Sequence, residues 1–385
     1  MTGSSAVGPL RPASQLVVVF GGSGFVGRHV VGTLAKRGYR VRVAVRHPER
    51  ALFLQTLGRV GQIVAVQANL RYPASVRRAV ERADHVVNLV GVLQESGRQT
   101  FDALQAEGAG DIARAAAEAG AGMVHVSAIG AHAASASEYA TAKARGEGFV
   151  REAVPGAVVL RPSVVFGNGD SFFNRFAELG RALPVLPLAG AETRFQPVFV
   201  GDVAEAAARA VDGRAMPGAV YELGGPDVVT LRRIVDFTLA TIGRKAAVVP
   251  MPWPLARIQG HALEIVDRLT LGLLPDALKL SRDQVELLRT DNVVSDAARS
   301  EGRTLEGLGI APTGYEAIAE SYLWRFRKAG QFTDGHTREN LSTAGPTDDL
   351  AALPTGPAPR GNPGGYRRID AGGPAPVVAP PAHRV

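Results

Sequence analysis

The sequence predicts an α/β fold: a doubly wound parallel sheet, then a smaller α/β lobe and a Pro/Gly-rich tail. Three observations carry the prediction. Short apolar runs alternate with helical stretches from about residue 16 to 162, the arrangement that builds a parallel sheet covered on both faces. A glycine-rich turn joins the first apolar run to the first helical stretch. Finally, 46% of the 385 residues are hydrophobic, enough for one large core or two closely packed ones.

The expected strands are LVVVF at 16–20, VRVAV at 41–45, IVAVQ at 63–67, HVVNLV at 85–90, MVHVS at 123–127 and AVVLRP at 157–162, with helices between them. Residues 1–15 are expected to be a flexible N-terminus and 16–162 the dinucleotide-binding domain. From 163 to 331 the alternation lapses into loops with Pro184, Pro187 and Pro197, a strand near AVYEL and a helix at LRRIVDFTLATI. This stretch is expected to form a smaller domain that closes over the carboxyl edge of the sheet and whose strands can rejoin it. Residues 332–385 hold nine of the 25 prolines and few large apolar side chains. Too little apolar surface is available there to offset the entropy of ordering, so a disordered tail is expected.

Composition excludes several functions. The chain has no cysteine, which removes disulfides, thiolate metal sites and cysteine nucleophiles together. The eight histidines are dispersed without metal-ligand spacing, so no metal site is expected. The net charge of +7 is spread over scattered arginines without a basic, aromatic-interleaved run, which argues against nucleic acid and leaves attraction to a phosphorylated cofactor or an anionic surface. Every apolar run is broken by charge, Gly or Pro before it could span a bilayer, and residues 1–15 lack a targeting pattern.

Directly after the first strand comes GGSGFVG at 21–27, followed by the helical stretch FVGRHVVGTLAKRG. Glycine is needed where a chain turns sharply, approaches a pyrophosphate without a Cβ, and packs a new helix against its strand. The first free amides of that helix then face an anion favoured by the helix dipole. Without a ligand the same pattern is a simple strand-to-helix turn; the strand–turn–helix context makes it a Rossmann dinucleotide loop. An NAD-selective site usually ends its second strand in a carboxylate, and here that place holds Arg46. A guanidinium can bind a 2′-phosphate that a carboxylate would repel, so NADP(H) is favoured over NAD(H).

YATAK places Tyr139 and Lys143 four residues apart on a helix, hence on one face, and Ser127 closes the preceding strand. In a carbonyl reduction a tyrosine can hand a proton to oxygen, a nearby ammonium can lower its pKa, and a serine can orient the substrate. Ser127, Tyr139 and Lys143 are therefore the candidate catalytic residues, and Tyr139 and Lys143 could equally hold a nicotinamide ribose in a site that never turns over. Trp253 and Trp324 read as ordinary packing, and the leucine-rich stretch 254–280 as either core or a docking surface.

Across about residues 16–331 these features resemble the short-chain dehydrogenase/reductase superfamily, in its extended and atypical branches. GGSGFVG, NLVG at 88–91, the serine, YATAK and LRPSVVFG at 160–167 fall in family order. The resemblance implies that Gly21, Gly24, Phe25, Val26 and Gly27 face the pyrophosphate and that Asn69 and Leu70 lie near adenine. It places Val90 and Gly91 along the central cofactor path, with Pro162, Ser163, Val164 and Val165 beside the nicotinamide. Asn69 stands where the family commonly has an acidic residue. The second half, in RFQPVFVGDVAEA, DQVELLRTDNVVS and YLWRFRKAGQF, looks like the NADPH-binding accessory subunit of respiratory complex I (NADH:ubiquinone oxidoreductase) and its bacterial relatives.

That branch implies a structural NADPH, a role in assembly and stability, and partners among the peripheral-arm subunits. It also implies a peripheral place on the cytoplasmic face of a respiratory membrane. The alternative is a free cytoplasmic NADP-dependent reductase, epimerase or dehydratase acting on a small carbonyl compound or nucleotide sugar. A third reading is a sensor of the NADPH/NADP ratio.

Overall fold

The computed structural model describes residues 12–269, 281–328 and 330, with side chains of 264–269 excepted. The expected tail at 332–385, most of the expected flexible N-terminus, and residues 270–280 of the leucine-rich stretch lie outside the described residues. Seven strands make the main sheet: β1 Leu16–Phe20, β2 Arg40–Val45, β3 Ile63–Gln67, β4 His85–Asn88, β5 Gly122–Val126, β6 Val158–Pro162 and β7 Val220–Leu223. Their order is β7-β6-β5-β4-β1-β2-β3, and every neighbouring pair is parallel. This is the doubly wound arrangement that the alternation predicts. Strand order reverses at β1, which lies between β2 and β4, and in open α/β sheets ligands bind outside the carboxyl ends of the strands at such a switch point.

Helices α1 Phe25–Lys36, α2 Pro73–Val80, α3 Gly108–Glu118 and α4 Glu138–Ala153 connect the strands of the first half. Beyond β6 follow α5 Phe172–Ala182, α6 Val200–Val211, α7 Leu231–Thr241, α8 Trp253–Leu269, α9 Arg282–Leu287, α10 Asp296–Ser300 and α11 Tyr315–Leu323. Among the described residues no helix is long and apolar enough to cross a membrane.

The alternation of side chains along β1 explains the layers. Val17 and Val19 join one core with α1, α6 and Leu305, Leu308 and Ile310, whereas Leu16, Val18 and Phe20 join the opposite core with α2 and α3. All five residues are buried, as a central parallel strand covered on both faces must be. A third core gathers Phe166, Phe173, Leu231, Ile234, Leu239 and Tyr322 around α5, α7 and α11. The strand expected at 85–90 ends at Asn88, because the Asn88 side-chain oxygen accepts from the Val90 amide at 3.0 Å and turns the chain out of the ladder.

Candidate dinucleotide-binding site

The glycine loop leaves β1 at its carboxyl end. Gly21 has φ +76, and a Cβ there would lie 3.0 Å from the Leu89 carbonyl carbon, so both conformation and space demand glycine. The Gly21 carbonyl accepts from the Gly24 amide at 3.1 Å, which closes the turn and leaves Gly24 as the residue from which α1 begins at Phe25. A Cβ on Gly27 would lie 2.2 Å from the Gly21 carbonyl oxygen; α1 sits directly on the loop only because Gly27 has none. No side chain caps α1 and no acidic residue stands in its first turn, so the amides of Phe25, Val26 and Gly27 face a place suited to an anion.

Of the residues expected near the adenine and its ribose, Arg46 follows β2, is exposed, and donates to the Gln99 side-chain oxygen at 2.8 Å. Asn69 and Leu70 follow β3. The Asn69 side-chain oxygen accepts from the Arg71 amide at 3.1 Å in a local turn. Leu70 packs into the α2–α3 core, where a Cβ on Gly108 would lie 2.7 Å from it.

Lys143 is the centre of the cluster that the resemblance sets beside the nicotinamide. Its side chain is buried, and its Nζ donates to the carbonyl of Val126, the last residue of β5, at 3.2 Å. A Cβ on Gly91 would lie 3.3 Å from Nζ, and the Tyr139 ring centre is 6.0 Å away. The fold thus gathers Gly91, the β5 end with Ser127, Tyr139 and Lys143 at one place. Val90, next to Gly91 in the chain, packs against the α2–α3 core. Ser163 follows β6 and its hydroxyl donates to Asn292, while Val164 packs in the third core and Val165 pairs with Val198 in a separate short ladder.

The electrostatics of this end are those of a buried polar cluster. Burial pushes Lys143 down to about 8, opposed by the nearby Glu147 carboxylate. Glu147 is itself held by both arms of Arg161, at 2.8 and 2.6 Å. The half-buried Tyr139 is pushed up to about 12 by burial and then by the Asp283 carboxylate, the opposite of what an acid/base tyrosine needs. Its ring meets Phe101 edge-on at 5.7 Å.

Two buried side chains escaped the sequence reading. His125, pushed down to about 3 by burial and by Lys143, is neutral and lies 3.1 Å from the Asn88 side chain through Nδ1. Gln105 sits in a single π turn, Asp102–Glu107, and donates to the Val92 carbonyl at 3.0 Å. The Ser127 hydroxyl, the Gln105 side-chain oxygen and His125 Nε2 are buried without a hydrogen-bond partner among the described residues. Orphaned buried polar atoms are costly unless a ligand or water meets them. Together with the glycine cradle, they fit a dinucleotide. Among the described residues no cluster of three or more metal-ligating side chains occurs.

Two further residues arrive from far along the chain. Asp283 of α9 accepts from the Ser137 hydroxyl at 2.9 Å and from the Glu138 amide at 2.7 Å, at the start of the Tyr139 helix. Asn292 receives the Ser163 hydroxyl on its side-chain oxygen at 2.6 Å and donates to the Ile129 carbonyl at 3.2 Å. Both lie in the stretch DQVELLRTDNVVS, but nothing in its spacing places it against Tyr139 or Ser163.

A model of the NAD dependent epimerase/dehydratase family matches residues 17–224, from β1 to the residue after β7. The chain belongs to that family. The chain is 32% identical over 334 residues to "NADH dehydrogenase [ubiquinone] 1 alpha subcomplex subunit 9, mitochondrial" of Arabidopsis thaliana, covering 85% of this chain and 82% of that one. It is 31% identical over 293 residues to a ceramide reductase of Caulobacter vibrioides, covering 75% of this chain and 89% of the reductase. The fold is shared with a crystal structure of an NADPH-dependent quinone oxidoreductase of Escherichia coli complexed with NADPH, at a TM-score of 0.61 and 20% identity over 80% of this chain and 99% of the other. The epimerase/dehydratase fold of this chain is therefore an NAD(P)-binding one.

Proposed function

We propose that this chain is an NADPH-binding accessory subunit of a respiratory NADH:quinone oxidoreductase, in which the dinucleotide is a structural part. The observation that carries the reading is the 32% identity to the NADH dehydrogenase subunit of Arabidopsis thaliana, which extends through the second half of the chain, beyond the dinucleotide domain, over 334 residues. The site supports it. Burial and the Asp283 carboxylate raise Tyr139 to about 12, so it stays protonated near neutral pH and can donate a hydrogen bond to a ribose in a site that does not turn over.

In this reading Gly21, Gly24, Phe25, Val26 and Gly27 hold the pyrophosphate, and Arg46 selects a 2′-phosphate. Tyr139 and Lys143 hold the nicotinamide ribose, with Ser127 at its side. Val90, Gly91, Pro162, Ser163, Val164 and Val165 line the path, and Asn69 and Leu70 bound the adenine end. A bound nicotinamide would bring hydride chemistry to the site; for the subunit, its contribution is to stabilise the folded state it binds. The docking partners are peripheral-arm subunits of the oxidoreductase, which places the chain peripherally at a respiratory membrane, on the cytoplasmic face in a bacterial host. Fractionation of native membranes on detergent gels tests this. The chain is expected in the large oxidoreductase, and recovery only as a free species contradicts it.

The retained Ser127, Tyr139 and Lys143, and the likeness to a ceramide reductase, favour a second reading: a free NADP-dependent reductase or related enzyme acting on a carbonyl compound. There Tyr139 is the acid/base, Lys143 tunes it and Ser127 orients the carbonyl. Tyr139→Phe would abolish turnover with NADPH binding retained; equal turnover in wild type and variant counts against this enzyme.

A further inference from the structure

The stretch 281–294 is fastened to the dinucleotide side of the molecule at three places, all next to residues of the nicotinamide end. Asp283 grips the amino terminus of α4 through the Ser137 hydroxyl at 2.9 Å and the Glu138 amide at 2.7 Å, with the Tyr139 amide at 3.4 Å. A carboxylate there also meets the positive end of the helix that carries Tyr139 and Lys143. Gln284 donates to the Leu93 carbonyl at 3.3 Å, two residues beyond Gly91. Asn292 binds the Ser163 hydroxyl and the Ile129 carbonyl, beyond the ends of β6 and β5. Between these points Val285 is fully buried against Ala189 and Ala256, which ties the same stretch to α8 as well.

The stretch therefore crosses the carboxyl edge of the sheet beyond β4, β5 and β6, the edge from which a dinucleotide in this fold enters and leaves. We propose that residues 281–294 form a latch over the nicotinamide end, with Asp283 and Asn292 as the positioning residues that keep dinucleotide from leaving. The proposal rests on the reading of the cleft as a dinucleotide site and adds what governs release. Opening breaks hydrogen bonds to a charged carboxylate and to a buried hydroxyl, contacts made to the chain itself and not to the nucleotide. Removing them speeds dissociation and leaves the phosphate-binding loop, where association begins, unchanged.

The test uses the full chain. Bound NADPH is chased with excess NADP and its fluorescence followed in wild type, Asp283→Asn, Asn292→Ala and the double variant. Dissociation is expected to accelerate by at least about tenfold in the double variant, with association changed by less than about threefold. Thermal unfolding without nucleotide separates a latch from a mere brace: lower melting temperatures with unchanged dissociation overturn the proposal. A wild type that binds no NADPH removes the underlying reading as well. Should the double variant fail to fold, hydrogen exchange in the wild type decides. NADPH is expected to slow exchange at the Glu138 and Tyr139 amides and across 281–294, and exchange there that ignores NADPH overturns the latch.

Discussion

The Lys143 ammonium is buried and donates to the Val126 carbonyl at 3.2 Å, so the last carbonyl of β5 faces a charge that the fold has taken out of water. Burial lowers Lys143 to about 8 from its ordinary value of 10.5. The unfolded chain therefore holds this proton up to higher pH than the folded one. Folded stability rises as pH climbs from about 8 through 10.5, and below 8 the buried charge is a cost.

Lys143→Met should remove that cost. We expect the nucleotide-free protein to melt no lower than wild type at pH 7, while NADPH affinity drops by about tenfold or more through loss of a charge-assisted hydrogen bond. In wild type, affinity should decline as pH rises through about 8, and in Lys143→Met that decline should vanish. Titration by NADPH fluorescence across roughly pH 6–10, which brackets the lowered Lys143 value of about 8, checks both.

Gly27→Ala should abolish nucleotide binding without unfolding the sheet. The added methyl would lie 2.2 Å from the Gly21 carbonyl oxygen, so α1 must move off the loop and its first amides lose their aim. Circular dichroism is expected to keep the α/β signature while NADPH no longer raises the melting temperature; a normal NADPH-induced shift would show that the amides of α1 do not hold the pyrophosphate.

Arg161→Ala should be far more damaging than the loss of an exposed arginine. Both arms of Arg161 hold Glu147, whose side chain is only 6% exposed, at the turn of α4 that follows Lys143. Removing the guanidinium leaves a buried carboxylate unpaired, at a cost of about 3–5 kcal/mol. Arg161→Ala with Glu147→Gln should recover part of it. Urea unfolding of the single and double variants measures the difference.

The sheet was legible because its signal is local. Six apolar runs and one glycine turn sufficed for β1 to β6, to within a few residues, and the departure at β4 comes from one side chain, Asn88, which turns the chain two residues early. Lys143 and Ser127 were legible as a pair because a strand end and a helix turn are fixed by the same topology. Asp283 and Asn292 were not. Their contacts with Ser137 and Ser163 span 146 and 129 residues, and no periodicity encodes a hydrogen bond made at that separation. The raised pKa of Tyr139 was hidden for the same reason, since Asp283 is part of its cause.

In the proposed function the chain holds its dinucleotide as a structural part of a respiratory oxidoreductase. The most direct measurement isolates that complex from the native host and reads the redox state and amount of NADP(H) bound to this chain before and during NADH oxidation. The account predicts roughly one tightly held NADP(H) per chain, as a single-site fold implies, unchanged in redox state during turnover. A nucleotide that is absent, exchanges freely, or cycles between reduced and oxidised forms with turnover would contradict it.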